Sequence, residues 1–100
     1  MKLVNKNRNI TLVSKETTND KVYKHFNYSG TTKENIIKAI EQFNCLEVEQ
    51  CKVSGGRIRL EGKHNLEKFN MCITDKSIIL IMRADKNNTF ENKLLDVYIE

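Results

Sequence analysis

Three cysteines, two histidines and a basic hairpin are the parts of this 100-residue chain whose chemistry could act on another molecule. Cys45, Cys51 and Cys72 carry thiols that can attack or ligate, and His25 and His64 carry imidazoles that can move protons or hold metal. Their spacing supports neither use. There is no Cys-x-x-Cys or Cys/His cluster of the zinc kind, and no carboxylate and nucleophile pattern lies near either histidine. Nor is there a glycine-rich phosphate loop, a His-Glu-x-x-His helix or a Gly-x-Ser-x-Gly elbow. We therefore expect no enzyme, no cofactor and no metal, and we read the three cysteines as core thiols in a reducing compartment.

The basic hairpin is more informative. In the stretch KVSGGRIRL, two adjacent glycines separate short runs in which apolar and basic residues alternate. With Gly55 and Gly56 as a two-residue turn, Val53 pairs with Ile58, Lys52 with Arg59 and Cys51 with Leu60. Apolar residues then meet apolar ones on one face, while Lys52, Arg57 and Arg59 share the other, with Lys63 following. Like charges directly opposite cost about 0.2–1 kcal/mol, which a neighbouring acid such as Glu61 or Glu47, or an anionic partner, would remove.

These residues need a scaffold, and the pattern of the chain supplies one. Thirteen of the seventeen basic residues are lysine, the net charge is +4 and the pI is about 9.0, a balance that serves solubility and permits attraction to polyanions. A 30% charged and 39% hydrophobic composition fits one globular domain spanning residues 1–100. The N-terminal stretch MKLVNKNRNITLV lacks the apolar run of a signal peptide, and no segment approaches a membrane span, so a cytoplasmic location and no membrane partner are expected.

Short strands are expected at Asn9–Val13 and Lys21–Tyr28, joined by a polar loop, SKETTND. An amphipathic helix follows Gly30, capped by Thr31 or Thr32, with Ile36, Ile37, Ile40 and Phe43 on one face. Five strand-like segments come next: Cys45–Val53, Arg57–Gly62, Glu67–Thr74, Ser77–Ala84 and Lys93–Ile99. The fold class is α+β, with one helix packed on a twisted antiparallel sheet, a meander of about five strands after it and one or two strands before it. The hairpin at Asp75 and Lys76 pairs Ile73 with Ile78, Met71 with Leu80 and Phe69 with Met82. With Leu95, Val97 and Ile99 of the last strand these form the face assigned to the helix.

On that phasing Ile79 and Ile81 point away from the helix together with Cys72, joined by Tyr98 from the last strand. A strand apolar on both sides is normally covered on both. The cover is either the N-terminal strands, through Ile10, Leu12 and Phe26, or a partner. A helix followed by a meander resembles the cystatin arrangement in element order. The hairpin here reads Gln50-Cys51-Lys52-Val53-Ser54-Gly55 where that family has Gln-x-Val-x-Gly, and the family's second, tryptophan-bearing wedge is missing, so its protease inhibition is not carried over.

The leading expectation is a small cytosolic protein-binding module, of inhibitor or immunity type, that neutralises a partner through its outer sheet face, using Lys52, Arg57, Arg59, Ile79, Ile81 and Tyr98. The alternative is a nucleic-acid-binding accessory protein that uses the basic hairpin at residues 52–63 against phosphate. The same apolar outer face also allows a homodimer.

Overall fold

The computed structural model describes residues 9–83 and 88–99, and within them the chain forms a six-stranded antiparallel sheet with two short helices, an α+β arrangement. Strands β1 (Ile10–Thr17) and β2 (Val22–Tyr28) lead into helix α1 (Lys33–Glu41). Strands β3 (Leu46–Ser54), β4 (Arg57–His64), β5 (Glu67–Ile73) and β6 (Ser77–Met82) follow as a meander, and helix α2 (Thr89–Leu95) closes the fold. The spatial order is β1-β2-β6-β5-β4-β3.

Both helices lie on one face of the sheet, because only that face is continuously apolar. Phe26 and Tyr28 of β2, Ile58 and Leu60 of β4, Phe69, Met71 and Ile73 of β5, and Ile78, Leu80 and Met82 of β6 are all buried there. They form one core cluster with Ile36, Ile37 and Ile40 of α1 and with Phe90 and Leu94 of α2. The spacing i, i+1, i+4 in α1 turns its three isoleucines to the sheet. Thr32 starts the helix by accepting a hydrogen bond from the Asn35 N–H at 3.2 Å. Lys33, the first helical residue, reaches across to Asp75 in the β5–β6 turn at 2.6 Å and ties the start of the helix to that hairpin. Close by, the Tyr28 hydroxyl donates to the Thr74 carbonyl. Burial, reinforced by the Asp75 carboxylate, raises the pKa of that phenol above its usual value.

The meander registers match the sequence reading: Val53 pairs with Ile58, Lys52 with Arg59, Ile73 with Ile78, Met71 with Leu80 and Phe69 with Met82. Gly55 and Gly56 take φ of 58° and 77°, the left-handed turn conformation that two glycines adopt without strain. Higher up the same hairpin, the pairing slips between Val48 and Gln50, leaving Glu49 as an extra residue in β3. Gly62 makes room for it: a Cβ there would stand 1.9 Å from the Glu47 carbonyl oxygen.

Three expectations are corrected. The segment Lys93–Ile99 is not a strand, since Thr89–Leu95 is helical and the DKNNTFEN link contains the start of that helix. Residues 84–87 of the expected Ser77–Ala84 strand and of that link lie outside the described residues. The alternation of Leu95, Val97 and Ile99 imitates a strand, but Phe90 and Leu94, four apart, are the positions buried on the core. Secondly, β1 runs on to Thr17 through half of the expected SKETTND loop, past a bulge between Leu12 and Ser14. Thirdly, the cysteines are not core thiols. Cys45, just before β3, and Cys51 at the sheet's end strand are exposed, and Cys72 is half-buried because it points away from the helices.

A buried ion pair anchors α2. Lys24, 1% exposed on the inner side of β2, lies 3.1 Å from a Glu91 carboxylate oxygen, and Lys15 of β1 lies 3.2 Å from the same atom. His64 is likewise an inner-face residue, 2% exposed and stacked on Phe90 with ring centroids 4.4 Å apart. It is the last residue of β4.

Candidate functional site: the outer sheet face

The registers fix which residues share the face opposite the helices. One row runs straight across the sheet as Ser14, His25, Ile79, Cys72, Arg59 and Lys52, and the next as Glu16, Tyr23, Ile81, Asn70, Glu61 and Gln50. Each neighbour in a row is a directly paired residue, so side chains stand about 4.5–5.5 Å apart at Cβ. The centre of both rows is apolar or aromatic, with Tyr23, His25, Ile79, Ile81 and Cys72 all half-buried by one another. The β3–β4 side is basic: Lys52 and Arg59 are adjacent and Arg57 follows at the turn, all exposed.

No described segment lies over this face. Both N-terminal strands extend the sheet sideways, and they send Ile10, Phe26 and Tyr28 to the inner core instead of across the outer one. Strand β6 is therefore apolar on both sides with a helix on only one. The observed surface is nearly flat. A depression of about 80 Å³ between Arg59, Asn70, Cys72, Ile79 and Ile81 continues past Ile81 into a second of about 280 Å³ bordered by Lys21, Lys68 and Arg83. Both fall below the roughly 300–1,000 Å³ that small-molecule sites occupy, whereas a flat apolar patch with an arginine rim has the anatomy of a protein interface.

The electrostatics bear on the question raised by Lys52 opposite Arg59. The ion pairs among the described residues join Lys15 and Lys24 to Glu91 and Lys33 to Glu34 and Asp75, and none of them reaches Lys52, Arg57 or Arg59. Glu61 shares the outer face but faces Gln50 and Asn70, one row along. Among the described residues, no acid pairs with these cations.

Of the six residues expected to bind a partner, five are brought to this face and one is not. Lys52, Arg57, Arg59, Ile79 and Ile81 are there; Tyr98, 52% exposed, follows α2 in a segment held beside the start of β1. There Asn9 donates its N–H to the Val97 carbonyl and accepts through its side-chain oxygen from the Ile99 N–H. Four strand spacings, about 19 Å, separate β1 from β4, so Tyr98 is not a neighbour of Arg59 and stands outside the paired rows. The residues missed are Tyr23 and His25. Their signal is the alternation of VYKHFNY, which sets Tyr23, His25 and Asn27 out of phase with buried Lys24, Phe26 and Tyr28. Its value depends on β2 pairing with β6, a contact between strands some fifty positions apart along the chain.

Among the described residues no group of three or more His, Cys, Asp or Glu side chains is placed to hold a metal ion, and no helix is long and apolar enough to cross a membrane. Comparison of the chain with protein-family models, curated proteins and solved structures finds no match in any of the three.

Proposed function

We propose that this chain is a protein-binding module, of the inhibitor or immunity type, that docks a partner protein on its outer sheet face. The supporting observation is the pair of rows in which Tyr23, His25, Ile79, Ile81 and Cys72 form an apolar centre that no described segment covers, flanked by Lys52, Arg57 and Arg59 with no ion-pair partner among the described residues. Burying the two isoleucines and the tyrosine would supply the apolar core of an interface, and the cations would select a partner with acidic residues at the matching edge.

The test compares tagged wild-type protein with Arg59→Glu/Ile81→Asp in capture from native lysate, with and without nuclease. Both changes are on exposed or half-exposed outer-face positions, so circular dichroism should show an unchanged fold. A nuclease-resistant protein retained by the wild type, and weakened by about 30-fold or more in the variant, supports the reading. Retention by the variant places the interface elsewhere. Material lost on nuclease treatment, with binding that falls steeply as salt rises, points instead to phosphate recognition by the basic hairpin.

A further inference from the structure

Strand β3 occupies one end of the sheet, and beyond Leu46, which packs against the core, no described segment covers its inner side. Leu46 is half-buried, Val48 is 38% exposed, Cys51 is exposed and Val53 is 72% exposed, whereas the inner-side residues of the next strand, Ile58 and Leu60, are at most 4% exposed. The helices stop one strand short. The backbone of the edge points the same way. Ser54 and Arg57 flank the two-residue turn and so form a hydrogen-bonded pair; alternation from there turns the N–H and C=O of Val53 and Cys51 outward, and beyond the bulge those of Val48 and Leu46. Long edges of this kind are normally blunted by charges that repel a second strand. Glu47 and Lys52 are placed differently.

We infer that two copies of this chain pair antiparallel through β3, with the dyad between Glu49 and Gln50. In this register Leu46 faces Val53 of the second copy, Val48 faces Cys51 and Glu47 faces Lys52, each contact occurring twice. The four outward-facing residues meet one another, so the edge hydrogen bonds form; the opposite charges fall at the close, non-hydrogen-bonded pairs. The bulge is what makes the register work. In an unbulged strand, a dyad between two residues would set the inner side of one copy against the outer side of the other. The extra residue at Glu49 shifts the alternation by one, so that apolar meets apolar and charge meets countercharge. Moving the dyad to Lys52 would place lysine against lysine. The two Glu49 carboxylates approach one another at the dyad, the one like-charge contact in the arrangement. Pairing joins the two sheets edge to edge and brings the Lys52 and Arg59 positions of both copies onto one continuous outer face. It is independent of what that face binds.

The experiment is sedimentation of the full chain under reducing conditions, followed by a charge swap. The wild type should reach twice its 11.7 kDa mass as concentration rises. Glu47→Lys and Lys52→Glu should each weaken the dimer by about tenfold or more, the combination Glu47→Lys/Lys52→Glu should restore it, and Glu49→Gln should tighten it. Glu47, Glu49 and Lys52 are all exposed, so folding is not at stake. Register is read separately by Val48→Cys in a Cys45→Ser/Cys72→Ser background, where mild oxidation should link the thiol introduced at position 48 of one copy to the native Cys51 of the other. A monomer at millimolar protein overturns the inference. So does a dimer indifferent to the charge swap, or one whose oxidation product does not join positions 48 and 51, since either would mean contact through another surface.

Discussion

The two faces of the sheet are made from the same strands, one residue apart, yet they differ in kind. Along β6, Ile78, Leu80 and Met82 are at most 2% exposed beneath the helices, while Ile79 and Ile81 between them remain half-exposed on the other side. Isoleucines stand on both sides of that strand, Ile78 within and Ile79 and Ile81 without; what differs is the supply of cover. Two short helices and the return segment at Val97 suffice for one face of a 100-residue chain, and their apolar residues are used up there. An apolar row that none of the described elements buries is a row available to something else.

Substitutions on the inner face should be the most damaging. Phe90→Ala empties the site where α2 meets Phe43, Phe69 and His64, and should cost about 3–5 kcal/mol in urea unfolding. Glu91→Ala strips the buried ammonium of Lys24 of its carboxylate and should cost about 3 kcal/mol, with Lys24→Met in the same background recovering much of the loss. Adjacent positions on β6 give the sharpest contrast between faces. Leu80→Ala should cost about 2–5 kcal/mol, whereas Ile81→Ala should cost about 1 kcal/mol and act mainly on partner capture. Equal losses at the two positions would mean that the outer face is covered.

The smallest expected effect is a pH dependence outside both faces. The hydrogen bond from Lys33 holds the Asp75 carboxyl below its usual 3.8, and the same contact raises Lys33 above 10.5. For the acid, the depressed folded value means a contribution present above pH 3.8 and lost as pH falls through the folded pKa. For the lysine, the raised value means one present below pH 10.5 and lost as pH rises through its folded pKa. The stability difference between wild type and Asp75→Asn should therefore be flat at neutral pH and shrink at both extremes. Because the pair lies at the surface, with Asp75 largely exposed, it should be slight and weaken further in salt.

Local patterns in the sequence carried much of this. The isoleucine spacing specifies α1, and the two glycines with their flanking alternation specify the β3–β4 register and hence the pairing of Lys52 with Arg59. What could not be read locally depends on contacts between distant segments. The alternation of β2 puts Lys24 in phase with Phe26 and Tyr28, but the carboxylate that makes its burial tolerable, Glu91, lies 67 positions later. Leu95, Val97 and Ile99 alternate like a strand, and the competing helical pair Phe90 and Leu94 wins through packing against Phe43 and Phe69. Tyr98 was lost from the candidate site with that strand, and Tyr23 and His25 were gained when β2 proved to lie beside β6.

The central claim is that the face bearing Ile81 receives a partner protein. It is tested most directly by placing a photoreactive residue at position 81 and, in a second protein, at Lys38 on the exposed side of α1. After nuclease treatment and irradiation in lysate, the position-81 protein should yield a discrete protein crosslink that the position-38 protein lacks. Crosslinks of equal yield from both positions, or from position 38 alone, would contradict the account.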